Sequence, residues 1–416
     1  GVRFSGTIVY DGRVYDHIQF KNRGIGSTYV SGKNKWAFYF NRGRNLQARD
    51  NWGRLYDQTW NSMSMDACAS PWCAVLRGIA GVEEVMSYRI YELCGVPALR
   101  TNYVHWRVID NAAETGATQY DGDFWGLYTA MEPYEGNFLD ERGLPDGNIY
   151  SIEGYGADKK HQSATQVSDN SDWSVFAGGT TAAGQTEAWY RANLDVPAYC
   201  TFQALNRFVG NVDIRGGDNY RAFHRSSDNR FVIMPYDQDM MVMPAHHWGA
   251  TIDGVTYGGI TNQFLAVTRH ASIALEFRNR CRELVDLLGS DPAPNGGQMA
   301  QLVDEYAQMV NPAGVALTWA DADAAMWNMN PRTAGNPSAN SDYTNHKNNF
   351  FRTPFLDHRG ANLSTTNWTR TLPDPDGDGY GDFEGLMAYL TDFHTNTFTG
   401  ATWVRAATRW GGAGAA

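Results

Sequence analysis

The chain of 416 residues is 43% hydrophobic and 13% aromatic and carries a formal net charge of −11 at pH 7. That length and apolar content suit two or three domains, or one large bilobal fold, and exclude a globally disordered chain. The acidic balance excludes broad electrostatic binding to nucleic acid or anionic lipid, though not a local phosphate pocket, and no run of about 18 apolar residues is present to span a membrane.

The first elements in chain order are β structure. Val2–Tyr10 and Tyr15–Phe20 flank Asp11-Gly12, a hairpin signal, and a glycine-rich turn follows at Arg23-Gly24-Ile25-Gly26-Ser27. Lys35–Phe40 is strand-like, and a polar loop runs on to Trp60. Ala74–Cys94 has helical spacing, with Val75, Ile79, Val82, Met86, Ile90 and Leu93 on one face, and Gly95 and Pro97 stop it. Tyr103–Ile109 and Trp125–Met131 read as an antiparallel pair, and residues 154–188, rich in Gly, Ser, Thr and Ala, as a long excursion. Pro197–Val209 is helical, Tyr220–His224 and Phe231–Met234 form a hairpin, and Ile273–Leu288 and Met299–Met309 are further helices. An Asn/Thr/Pro-rich loop over 328–370 precedes a helix near Phe383–Phe393. Sheet first and helices later predicts an α+β protein of two lobes.

The chemistry concentrates between Asn206 and Asp239. Asn211-Val212-Asp213 follows a helix, Asn219 comes six residues after Asp213, and the next hairpin delivers Tyr236-Asp237-Gln238-Asp239 at its tip. Helix, acidic loop, hairpin and acidic tip suit phosphoryl transfer. One carboxylate, Asp213, orients the attacking hydroxyl, while an amide and further carboxylates hold the metal ions that neutralise a triphosphate. On an extended tip Asp237 and Asp239 would point to opposite sides, so Asp237 is expected to be the principal ligand and Asp239 to share a second ion or orient the loop.

The string Leu194-Asp195-Val196, Asn211-x-Asp213, Asp218-Asn219-Tyr220 and Met234-Pro235-Tyr236-Asp237-x-Asp239 resembles the signature of the spore-coat CotH kinase family. Arg23-Gly24 with Lys33-Asn34-Lys35-Trp36, then Gly126-Leu127-Tyr128, Glu132, Asn137-Phe138-Leu139 and Asn148-Ile149-Tyr150, resemble the family's upstream segments in the same order. Tyr236 stands at the family's Trp, Asp218 at the first Asn of an Asn pair, and Ser151 at a Lys. The resemblance implies a bilobal protein-kinase-like α+β fold, with a β-rich N-lobe over residues 1–135 and a mostly helical C-lobe with long loops over 136–416. It implies ATP with Mg²⁺ or Mn²⁺ as cofactors and a protein Ser/Thr hydroxyl as acceptor. Asp213 is then catalytic, and Asn219, Asp237 and Asp239 bind the metal. Lys33 or Lys35 contacts phosphate and Glu132 is the acidic partner of that lysine; the backbone N–H groups at Gly24, Gly26 and Ser27 either cradle an anion or form a plain turn. The alternative is a catalytically inactive kinase-fold module for extracellular surface binding; a metal-dependent hydrolase on Asp237, Asp239 and His246 is a third option.

Asp374, Asp376, Asp378, Tyr380 and Asp382 place oxygens at positions 1, 3, 5, 7 and 9 of a Ca²⁺ loop spanning 374–385, with Gly379 at position 6 and no bidentate Glu at position 12. Such short loops resemble those of exported proteins, so an extracellular or cell-surface location is expected. The start carries no signal-peptide pattern and reads as a trimmed end. Of the five cysteines, Cys68 and Cys73 either pair across their short loop or stay as buried thiols. His246-His247 lacks a third ligand at helical spacing and reads as structural.

Overall fold

The computed structural model describes residues 2–24, 33–68, 80–109, 123–154, 156–209, 211, 213–214, 216–240, 261–284, 288 and 297–327. Ser27, Cys73, His246-His247, the 328–370 segment, the Asp374–Asp382 loop and the helix expected at Phe383–Phe393 lie outside them. The described chain is mixed α+β with two antiparallel sheets. It groups into two compact units, each built from separate stretches. The first draws on residues within 1–86, 99–143 and 303–353, the second on residues within 87–98 and 144–302. The boundary expected at 135/136 falls inside the 99–143 stretch.

The first unit centres on a six-stranded sheet. Its strands are β1 (Phe4–Tyr10), β2 (Arg13–Arg23), β3 (Lys35–Tyr39), β4 (Ser62–Asp66), β5 (Thr101–Arg107) and β6 (Phe124–Met131), in the order β1-β2-β3-β4-β6-β5. On β2, Tyr15 and Ile18 are both buried although three residues apart. His17, at φ 54°, breaks the alternation there, and the register slips opposite Gly6–Ile8, so a bulge brings both side chains to the core face. Ile8, Tyr15, Ile18, Phe38, Trp60 and Met63 belong to that core. Strand β4 escaped the sequence reading because its Ser-Met-Ser-Met-Asp run has little strand propensity. Its Met63 and Met65 face inward.

Helix α1 (Val82–Leu93) contributes its residues from Ser87 onward to the second unit. That unit holds a four-stranded sheet ordered β10-β9-β7-β8, made of β7 (Gly147–Glu153), β8 (Gly156–His161), β9 (Tyr220–Arg225) and β10 (Arg230–Pro235). The excursion expected over 154–188 instead contains β8, α3 (Ser171–Thr180) and the start of α4 (Glu187–Asn193); the short α2 (Gly136–Glu141) lies earlier, in the first unit. β8 is an edge strand whose residues alternate between exposed and half-buried, so it shows no apolar run, and α3 has one buried aromatic, Phe176. Phe176 stacks on Phe231 of β10 with ring centroids 4.2 Å apart. Helix α5 (Val196–Phe208) buries Phe202, Leu205 and Phe208 and packs on β10 and on α7 (Ala271–Leu284), which follows the short α6 (Thr261–Thr268). Two further helices among the described residues are α8 (Gly297–Val310) and α9 (Trp319–Trp327). No helix among the described residues is long and apolar enough to cross a membrane.

Candidate active site

The acidic loop is set by the end of α5. The backbone N–H of Asn211 donates to the Asn206 carbonyl at 3.0 Å, closing the helix. The Asn211 side-chain oxygen then accepts from the N–H groups of Asp213 (2.8 Å) and Ile214 (3.2 Å), an Asx turn that holds Asp213 in place. Asn219, at φ 61°, closes the loop and donates its amide to Asp213 Oδ2 at 2.7 Å and to the Asp213 carbonyl at 3.2 Å. Asn tolerates that left-handed conformation better than most residues.

The β9–β10 hairpin supplies the opposing tip. Its register pairs Tyr220 with Pro235, so β10 ends beside the start of β9, near Asn219, and releases Tyr236–Asp239 there. Asp237 adopts φ 54°. This left-handed residue breaks the extended alternation that would have sent Asp237 and Asp239 to opposite sides. Both carboxylates instead converge with that of Asp213, one oxygen from each lying within 4.8 Å of the others. Gln238 turns inward and is fully buried.

Three carboxylates this close repel one another unless protons or a cation intervene. Asp239 is 6% exposed, and Asp213 and Asp237 are half-buried, so solvent screens the repulsion incompletely. A donor set of carboxylate oxygens matches hard divalent ions such as Mg²⁺, Mn²⁺ or Ca²⁺, and not the soft metals that thiolates select. The residues present therefore fit the divalent cation expected from the sequence.

Arg221 was missed by the sequence reading. It is buried on β9, its guanidinium lies 3.3 Å from the Tyr236 ring centroid, and it pairs with Glu153 at 2.8 Å. Burial opposes ionisation of Glu153, but the Arg221 charge and a hydrogen bond from Ser151 outweigh it and hold the carboxyl below its usual range. Ser151 lies directly across from Arg221 in the β7–β9 pairing.

The lysine cluster belongs to the first unit. Lys33 donates to Asp323 Oδ1 at 2.6 Å and to the Leu127 carbonyl at 2.7 Å, and Lys35 pairs with Asp66 at 2.7 Å. Both lysines are buried. Glu132, expected beside a lysine, is instead bound bidentately by Arg142 at 3.0 and 2.7 Å and accepts from the Arg100 N–H. Its position at the end of β6 favours this local arginine. Cys68 is a free buried thiol 3.1 Å from the Thr129 hydroxyl, and burial pushes its pKa well up.

The model of the CotH kinase protein family matches residues 80–325, more than half of the chain, including the whole loop-and-tip arrangement from Asn211 to Asp239. The chain belongs to the CotH kinase family. Lys33 and Lys35 precede the matched stretch. No curated protein matches the sequence.

Proposed function

We propose that this chain is a metal-dependent phosphotransferase that moves the γ-phosphoryl group of ATP to a Ser or Thr hydroxyl of a protein, on a bilobal kinase-like fold. The observation that carries the reading is the convergence of Asp213, Asp237 and Asp239 within 4.8 Å, inside the stretch matched by a kinase family. A bound Mg²⁺ or Mn²⁺ would supply positive charge for the phosphate oxygens. Asp237 and Asp239, with Asn219, would hold it. Asp213, steadied by the Asn219 amide, orients the acceptor hydroxyl and takes its proton as the new oxygen–phosphorus bond forms. The bond to the β-phosphate oxygen breaks, and ADP leaves with that oxygen's negative charge. Lys33, Lys35 and Ser27 are the proposed phosphate contacts, and Asp66 replaces Glu132 as the acidic partner of Lys35.

Calorimetry with ATP and Mg²⁺, paired with a phosphotransfer assay, tests this. The expected result is cation-dependent ATP binding that Asp237→Asn abolishes in a folded protein. Binding without transfer to any supplied protein would point to the inert-module alternative, and undiminished binding and turnover by Asp237→Asn would refute the assignment. The Asp374–Asp382 segment is read as a structural Ca²⁺ loop of an exported protein. Calcium should raise the melting temperature of the wild type and not of Asp376→Asn.

A further inference from the structure

The acidic loop and the acidic tip are joined behind the carboxylates by a chain of buried neutral amides. Gln238 sits between Asp237 and Asp239 and is 0% exposed. Its Oε1 accepts from the Asn211 amide at 3.1 Å and from the Ser87 hydroxyl at 2.8 Å, and its Nε2 donates to the Tyr236 carbonyl at 3.0 Å. Asn211 is the residue whose other side-chain atom holds the backbone of Asp213. One continuous run of hydrogen bonds therefore leads from Tyr236, through Gln238 and Asn211, to Asp213.

Helix α1 braces this run at two points. Ser87 and Tyr91 are one helical turn apart and share a face. Ser87 holds Gln238, while the Tyr91 hydroxyl donates to Asn206 Oδ1 at 2.6 Å, and the Asn206 carbonyl closes α5 against Asn211. Ser87, Asn206, Asn211 and Gln238 are all 1% exposed or less. Burying polar groups is costly unless each is bonded, and apolar side chains would fill the same space without directional demands. What an amide run adds is direction: it fixes the distance between two loops whose carboxylates repel each other.

We propose that Gln238 and Asn211, braced by Ser87, are positioning residues that set the spacing of Asp213 against Asp237 and Asp239, and with it the size of the cation that fits. The inference rests on the metal-dependent reading above. Mg²⁺ demands short, near-octahedral contacts, whereas Ca²⁺ accepts longer and more variable ones. A loosened cluster should therefore lose Mg²⁺ more than Ca²⁺.

The test is calorimetric titration of the full chain with Mg²⁺ and with Ca²⁺, for wild type, Gln238→Met and Ser87→Ala, with folding checked by circular dichroism. Met matches Gln in length and keeps the site filled while removing the amide. Gln238→Met should lower Mg²⁺ affinity by roughly 10- to 100-fold, the usual effect of removing a group that orients a ligand. Its Ca²⁺ affinity should fall distinctly less, whereas general destabilisation would lower both alike. Ser87→Ala should cost Mg²⁺ about 2- to 10-fold, as for one neutral hydrogen bond. A wild type that binds neither ion overturns the metal reading and this inference with it. A wild type that binds Mg²⁺, with a folded Gln238→Met that binds it equally well or loses both ions in the same ratio, overturns the positioning role alone. If Gln238→Met does not fold, Ser87→Ala decides, and unchanged Mg²⁺ and Ca²⁺ affinities there overturn the proposal.

Discussion

Asp237 combines two demands in one residue: a left-handed backbone at φ 54° and a carboxylate aimed at two others. Substitutions separate them. Asn tolerates the left-handed region, so Asp237→Asn should leave the backbone in place and remove one of three repelling charges. Its melting temperature without divalent ions should equal or exceed that of the wild type, while its Mg²⁺ affinity falls at least about tenfold. Asp237→Ala should lose the same affinity and also about 1–2 kcal/mol of stability to backbone strain; thermal melting and calorimetry on the two variants check both statements. Asp213→Asn should lower phosphotransfer by about two to four orders of magnitude, the range for a positioned acid–base group, in a chain that still melts cooperatively. The residues picked out in sequence, Asp213, Asn219, Asp237 and Asp239, were visible because acids and amides punctuate otherwise apolar strand and helix patterns there. Gln238 gave no such signal. A buried amide is known by its partners, and Ser87 is 151 positions away. The convergence of Asp237 with Asp239 was also hidden, because a single positive φ reverses what period-two alternation implies.

The elements most readily seen in sequence were those with local signals: the Asp11-Gly12 hairpin, the β5–β6 pair, helix α5 and the β9–β10 hairpin. Helix α9, which was missed, takes its definition from a distant strand. Helix α9 lies against β6, where Trp327 donates to the Trp125 carbonyl at 2.7 Å and Asp323 accepts from the Leu127 N–H at 2.8 Å. Gly126, between those two β6 residues, makes the approach possible. Its φ is 143°, and a Cβ there would stand 2.8 Å from both Asp323 Oδ1 and Trp327 Nε1. Gly126→Ala should push α9 off the strand and cost about 1–3 kcal/mol. Hydrogen exchange over 319–327 would show it, with amides in α9 losing protection before those of β2 or β3. Unchanged protection in α9 would mean that the helix is held elsewhere.

For the whole molecule, acid is a sharper probe than heat. In the second unit Asp172 accepts from Tyr150 and Asn148 and lies 2.7 Å from His224 Nδ1. Burial pushes its carboxyl up, but hydrogen bonds from Tyr150, His224, Asn148 and the Trp173 N–H outweigh that and hold it below the usual range. Its folded pKa thus lies under its unfolded one. The stability it contributes is complete above about pH 4 and drains away as pH falls through the lowered value. Asp172→Asn should cost about 1–3 kcal/mol at neutral pH, and its deficit against the wild type should narrow in acid. Urea midpoints measured from pH 7 down to pH 3 check the sign, and a deficit that widens in acid would contradict it. The pairing of Lys33 with Asp323 reaches across 290 positions. At about 5–20 residues per second, a ribosome would release Asp323 roughly 15–60 s after Lys33. During that interval the β1–β2 hairpin can form, but the ammonium destined for the interior has yet to meet this counter-ion. The first unit, which draws on residues from Val303 onward, is therefore completed late in synthesis, and a chain truncated before Val303 should linger on chaperones although all six strands of its sheet have been made.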